Sequence, residues 1–172
     1  MRFIRTLALT LAFGAAVACT TTPLADIDPN PPNILDEYVA KPDPTFAWKV
    51  EKTFTGEGYH GAVLELTSQT WMTAADSDRP VWKHWLTITT PDKVASHKAF
   101  LYIGGGSSTT PVPTTATPRF AQMAVDTGSV IIELSQVPNQ PIRFAETPDA
   151  ARSEDDMIAY LQARYDANKN PI

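Results

Sequence analysis

The chain has 172 residues, of which 14 are basic and 19 acidic, so its net charge is −5. This length accommodates one folded domain. Because the basic residues do not cluster in more than pairs, the composition excludes nucleic acid as a partner.

The first residues have the pattern of a signal peptide covering 1–18. Arg2 and Arg5 precede an uncharged, mostly apolar run over 6–17. That run is too short to remain in a bilayer, because a spanning helix needs about 20 residues. A small-x-small site closes the leader, so we expect export with cleavage before Cys19. Without the leader, the mature part has 12 basic and 19 acidic residues, so its net charge is −7.

Cys19, the single cysteine, resembles the modified residue of bacterial lipoproteins. The resemblance implies a lipid anchor on its thiol. Thr20 stands where Asp signals inner-membrane retention, which implies the outer membrane in a Gram-negative cell. The sequence departs from the pattern at Ala16, where Leu is preferred. The alternative is ordinary cleavage after Ala18 with release into the periplasm, and in either case a lone cysteine provides no internal disulfide.

A flexible tether and then a short helix are predicted next. Residues 19–33 are rich in Thr, Pro, Asp and Asn, as in extended linkers, so we place the folded domain at 34–172. Leu35, Tyr38 and Val39 have the spacing of one helix face. The prolines that begin at position 42 end this helix.

Five segments have strand character: 46–54, 62–67, 82–89, 99–103 and 130–134. The first three alternate, with Leu86 and Ile88 on one side and Thr87 on the other. Alternation is typical of antiparallel strands with one partly wet face. The last two are continuous apolar runs, which indicates parallel strands buried on both faces.

A helix is predicted between these last two strands. Phe120, Met123, Ala124 and Thr127 share a face, and Gly128 is placed to end the helix as a left-handed cap. A strand, a helix and a strand form the crossover that a parallel pair requires. The fold class is therefore α/β, with antiparallel strands first and parallel strands later.

The last predicted element is a helix over 154–167. Ser153 is placed to cap the amide of Asp156. Its apolar stripe is Met157, Leu161 and Tyr165, with Ile158 beside them. Because no strand follows this helix, we expect an incomplete sheet.

The most suggestive local feature is the glycine-rich loop after strand 99–103. In α/β-hydrolases the corresponding loop offers backbone N–H groups to the oxyanion of an acyl intermediate, and glycines permit close approach. Gly105, Gly106 and Ser107 form the candidate oxyanion loop. The alternative is a flexible Gly/Ser connection into the Thr/Pro-rich run that follows.

No catalytic residue is predicted in this chain. A Gly-x-Ser-x-Gly nucleophile elbow does not occur in the sequence. His60, His84 and His97 all precede the place where the fold puts its nucleophile, so we interpret them as surface or structural histidines. They have no metal-ligand spacing, and we expect neither a metal nor a cofactor.

Several strings resemble the PhoPQ-activated pathogenicity-related protein family over about residues 34–165. They are Leu-Asp-Glu-Tyr-Val at 35–39, Ser-Gln-Thr-Trp at 68–71, Trp-Lys-His-Trp at 82–85, the glycines at 104–106, and Arg-Ser-Glu-Asp-Asp-Met-Ile-Ala-Tyr at 152–160. The resemblance implies the N-terminal portion of an exported protein with an α/β-hydrolase fold. Its serine motif would lie beyond this sequence. After Ser107 the chain departs from the family, which tends to have Asn and further glycines there.

Two functions follow as expectations. The first is a hydrolase of peptide or ester bonds, cut short before its nucleophile and inactive alone. The alternative is an envelope lipoprotein that binds a peptide or wall component without catalysis and reaches the membrane through Cys19. A third possibility is a product that does not fold stably, because a partial sheet leaves an open edge and an uncovered face.

Overall fold

The computed structural model describes residues 33–168, and the chain divides into two compact units at Lys41 and Pro42. The predicted leader, the Cys19 anchor and the tether up to residue 32 lie outside the described residues. In the first unit, helix α1 covers Ile34–Ala40 and begins with a capping box in which Asn33 and Asp36 bond each other's amides at 3.3 and 2.8 Å. The predicted short helix is confirmed.

The second unit contains seven strands and two helices among the described residues. These are β1 (Ala47–Gly56), β2 (Tyr59–Thr70), β3 (Val81–Pro91), β4 (Ala99–Ile103), α2 (Pro118–Thr127), β5 (Val130–Leu134), β6 (Ile142–Arg143), β7 (Ala151–Arg152) and α3 (Glu154–Asn168). The five predicted strands are confirmed, two of them to the residue. None of the helices found between residues 33 and 168 has both the length and the apolar content needed to cross a membrane.

The main sheet has the order β1-β2-β3-β5-β4. Antiparallel pairs join β1 to β2, β2 to β3 and β3 to β5, whereas β4 and β5 are parallel. Helix α2 makes the crossover between the parallel strands and ends at Gly128, whose φ of 63° is left-handed, as predicted. The α/β fold class is therefore confirmed, with the antiparallel strands first in the chain.

The two faces of this sheet differ in what covers them. On one face, a register row formed by Val63, Thr87, Glu133 and Tyr102 lies on the side of α2. Helix residues Phe120 and Ala124 pack there against Ile131. Thr87 is only 5% exposed and Thr89 only 2%, so the threonine side of β3 is the more deeply buried one.

The opposite face, here called the apolar face, is made of two register rows. They are Val50, Leu64, Leu86, Leu134 and Ile103, and Ala62, Ile88, Ile132 and Leu101. Leu64 is buried at its centre, but Val50 and Ile103 are 52% and 59% exposed at its ends. The apolar face is therefore open to solvent at both sides of the sheet.

The prediction that β4 is buried on both faces is wrong. All five of its residues are exposed, and Leu101 is 51% exposed. β4 ends the sheet, since no strand among the described residues lies beyond it. Its neighbour β5 has the same apolar composition, but β5 lies between two strands and beneath α2, where Ile131 is 2% exposed.

Helix α3 belongs to a second core with the small β6-β7 sheet. Ile142, Phe144 and Met157 are buried together, and Trp71 and Trp82 pack against them. The predicted stripe is only partly confirmed, because Tyr165 is 42% exposed and Ile158 61%.

The cap predicted for α3 differs from the observed contacts. The amide of Asp156 donates to the carbonyl of Ser153 at 3.2 Å. The Asp156 carboxylate pairs with Arg152 at 2.9 Å. Because Gln140, from a distant loop, supplies the side-chain acceptor for the first amide of α3, local sequence spacing did not identify it.

Candidate functional site at the carboxyl ends of the strands

The glycine-rich loop and the segment that follows β5 lie together at the edge of the sheet that is formed by the carboxyl ends of β4 and β5. Since β2, β4 and β5 run in the same direction, the loops after them share that edge. Three backbone bonds join the two segments: Gly104 N to Leu134 O at 2.8 Å, Gln136 N to Gly105 O at 3.0 Å and Val137 N to Gly104 O at 3.1 Å. The loop therefore continues the sheet for two residues past β4.

Beyond these bonds, the backbone of the loop turns away from the sheet. Gly106 has a φ of 128°, a conformation that side chains other than glycine rarely adopt. Within residues 33–168, no acceptor pairs with the amides of Gly105 or Gly106. The Ser107 amide also has no acceptor among the described residues, so all three N–H groups of the predicted oxyanion loop remain available to a ligand.

Ser107, the third predicted residue, is engaged within the protein. Its hydroxyl lies 2.9 Å from that of Thr109, and its carbonyl accepts the side-chain amide of Gln136 at 2.9 Å. Gln136 is 4% exposed and has a left-handed φ of 64°. Gln136 therefore holds the loop in place through its hydrogen bond to Ser107.

Gln140 connects this edge to the start of α3. Its Oε1 accepts the amide of Glu154 at 2.7 Å, and its Nε2 donates to the Glu154 carboxylate at 3.2 Å. A Cβ added to Gly105 would lie 4.0 Å from the same carboxylate. Glu154 thus faces the loop and places a negative charge beside it.

His84 supports the same edge from the sheet. Its Nδ1 lies 3.0 Å from the carbonyl of Gln136, and its Nε2 lies 2.9 Å from the hydroxyl of Ser68. Because a carbonyl only accepts, Nδ1 carries the proton and Nε2 accepts from the serine. Burial lowers the pKa of His84 below its ordinary value of 6.5, and the backbone contacts oppose this only in part.

The interpretation of the histidines as structural or surface residues fits these contacts. His60 is exposed and lies 3.1 Å from the Asp92 carboxylate, and His97 is exposed. In the part of the chain that the structure describes, no group of three or more His, Cys, Asp or Glu side chains could hold a metal ion.

Three polar residues after β5 were not predicted: Gln136 and Gln140, which bond the loop and the start of α3, and Asn139, whose Nδ2 donates to the carbonyl of Lys83 at 2.6 Å. A signal for them exists, because residues 135–141 are polar and proline-containing and directly follow a buried strand. Polar residues at the carboxyl end of such a strand are where α/β sheets place their functional groups.

Residues 35–171 match the profile of the family described as PhoPQ-activated pathogenicity-related protein. The chain belongs to this family.

A curated relative is considerably longer than this chain. The chain is 42% identical over 135 residues to autocrine proliferation repressor protein A of Dictyostelium discoideum. The alignment covers 78% of this chain and 27% of that protein, so the chain spans about a quarter of its relative. No solved structure gave a significant match.

Proposed function

We propose that this family member is the N-terminal portion of an exported hydrolase of peptide or ester bonds and supplies its oxyanion loop. The observation that carries the proposal is the pair of unpaired amides at Gly105 and Gly106. They follow the parallel strand β4 at the edge where α/β enzymes bind ligands. Preorganised backbone N–H groups of this kind stabilise the negative charge of an acyl-transfer transition state.

The chain alone is proposed to be inactive, because its sequence has no Gly-x-Ser-x-Gly elbow to provide a nucleophile. An antibody against residues 42–168 would report the mass of the native protein in its host. We expect a species more than twice the 18.8 kDa of this chain. Such a species, immunoprecipitated, should hydrolyse an ester such as p-nitrophenyl acetate or a peptide library.

The loop assignment is tested in that native protein with Gly106→Ala. Because φ at this position is 128°, a Cβ displaces the loop backbone, and losing an oxyanion donor costs about 100-fold or more in rate. Gly128→Ala is the matched control, since it also strains a left-handed glycine, with a φ of 63°, but lies at the end of α2. Equal rates per folded molecule for the two variants would contradict the assignment.

The alternative proposal is an envelope lipoprotein that binds a peptide or wall component without chemistry. The missing nucleophile elbow favours it. A native species near 18.8 kDa that partitions into detergent and hydrolyses none of these substrates would select this alternative.

Export and lipidation at Cys19 are proposed for both functions, with the outer membrane or the periplasm as destination. Incorporation of labelled palmitate into the protein tests the anchor, with Cys19→Ser as the control. Label in both forms, or in neither, would contradict lipidation at Cys19.

A further inference from the structure

A cavity of about 150 Å³ lies beside the glycine-rich loop, on the side of the sheet to which Glu65, Lys83 and Trp85 point. Arg79, Ser108 and Gln136 also line it, together with His84 and Asn139. It is placed near the carboxyl ends of β2 and β5, where open α/β sheets bind their ligands. Its size admits a group of a few heavy atoms.

The charged side chains in the cavity wall favour a ligand that carries a single negative charge. Arg79 donates through Nε to the carbonyl of Pro141 at 3.3 Å, and within residues 33–168 its guanidinium pairs with no carboxylate. The Lys83 ammonium lies 3.0 Å from Glu65, whose carboxylate also lies 3.8 Å from Lys49. Two cations and one anion therefore line the cavity, although the chain as a whole has a net charge of −5.

Ser108 provides an independent indication of a ligand. Its Oγ is buried and has no hydrogen-bond partner among the described residues, although the residue lines the cavity. An unpaired buried hydroxyl is destabilising, and solvent does not reach this Oγ, so a ligand acceptor would bond it once the side chain turns toward the cavity. Trp85 fixes the wall nearby by donating from Nε1 to the carbonyl of Thr110 at 3.0 Å.

We propose that this cavity binds the carboxylate of a small acidic ligand through the guanidinium of Arg79 and the hydroxyl of Ser108. A guanidinium presents paired N–H groups that match the two oxygens of a carboxylate. The Glu65 carboxylate in the wall repels a phosphate dianion more strongly than a carboxylate monoanion. The substrate class that follows, a peptide or ester with an acidic group near the scissile bond, rests on the proposed function. The binding itself does not.

Titration of the full chain with sodium acetate at constant ionic strength tests the binding. We expect saturable shifts of the NMR signals from the Trp85 indole N–H, the Arg79 Nε–H and the Ser108 amide. For a ligand of four heavy atoms, a dissociation constant on the order of millimolar is expected. Inorganic phosphate is the comparison anion, and binding of phosphate more tightly than acetate would overturn the assignment to a carboxylate.

Two variants and one control separate binding from folding. Arg79→Gln should weaken acetate binding about tenfold or more, whereas Arg119→Gln should not, since Arg119 stacks on Phe120 with 4.5 Å from Cζ to the ring centre. Ser108→Ala removes an unsatisfied hydroxyl, so it should raise the urea midpoint of the free protein and yet weaken acetate binding severalfold. A lowered midpoint, or unchanged acetate affinity in Ser108→Ala, would overturn the role of Ser108.

The binding proposal and the proposed function can fail separately. Without saturable acetate shifts at Trp85 and Ser108, the cavity is not a carboxylate site, whatever the native protein hydrolyses. If acetate binds as expected and the native protein shows no hydrolysis, the cavity stands as a ligand site and the substrate assignment is withdrawn.

Discussion

His84 and Ser68, which belong to different strands, meet at 2.9 Å between Nε2 and Oγ. The other ring nitrogen of His84 bonds the carbonyl of Gln136, whose side chain holds the glycine-rich loop. One buried imidazole thus joins β2, β3 and the segment after β5. This relationship makes the stability of the second unit, and the placement of its candidate site, depend on a neutral histidine.

Replacing His84 by alanine should lower the free energy of unfolding by about 2–4 kcal/mol. The change creates a cavity at a residue that is 4% exposed and leaves the Gln136 carbonyl without its donor. Urea unfolding followed by tryptophan fluorescence measures the difference. His60→Ala is the control, because His60 is exposed and its loss should change stability by less than about 0.5 kcal/mol. Similar effects of both substitutions would contradict the structural role of His84.

The lowered pKa of His84 determines how its contribution to stability depends on pH. Burial holds its folded-state pKa below the ordinary 6.5, so between those two values the unfolded chain binds more protons than the folded one. Stability therefore rises with pH across that window. The contribution of His84 is complete above pH 6.5 and is lost as the pH falls through the folded-state pKa.

Unfolding free energies of the wild type and His84→Ala, measured from about pH 7.5 down to about pH 5, isolate this effect. Contributions of the other titrating groups cancel in the difference. We expect the stability gap between the two proteins to narrow as the pH falls. A gap that stays constant or widens would show that the folded state does not depress the pKa of His84.

Helix α3 is predicted to depend on Gln140, whose buried amide group bonds both the backbone and the carboxylate of Glu154. Gln140→Ala should cost about 1–3 kcal/mol, since the amide at the helix start loses its acceptor. Hydrogen exchange should increase most in the first turn of α3. Gln162→Ala provides the control, because Gln162 is exposed and makes only a 3.5 Å contact with Asp166 on the same helix. Unchanged exchange at Glu154 in Gln140→Ala would contradict this role.

The five strands and the crossover helix could be predicted from sequence because their signals are local. Alternation, continuous apolar runs and the Gly128 cap each act over a few residues. By contrast, β4 and β5 have similar composition and very different burial, since burial depends on which strand lies alongside. β6 and β7 have two residues each, too few for any periodicity to appear.

For the candidate site, the sequence carries a local signal only at its glycines. The position of Gly105 and Gly106 after a strand is a local signal, and the structure leaves their amides available. The residues that hold the loop come from far along the chain, as His84 and Gln136 are 52 positions apart. Such contacts depend on the order of strands in the sheet, which spacing within one segment does not determine.

The apolar face leads to a last prediction, on self-association. Leu101 and Ile103 on edge strand β4 are 51% and 59% exposed, and on its open side β4 pairs with no strand among the described residues. Exposed apolar patches and open sheet edges promote association. The purified chain should therefore show concentration-dependent association in sedimentation velocity, and the double substitution Leu101→Lys and Ile103→Lys should restore monomer. Ile158→Lys is the matched control, because Ile158 is 61% exposed but lies on α3. A chain that stays monomeric at about 100 μM, well within the range where exposed surface drives aggregation, would show that this face does not drive association.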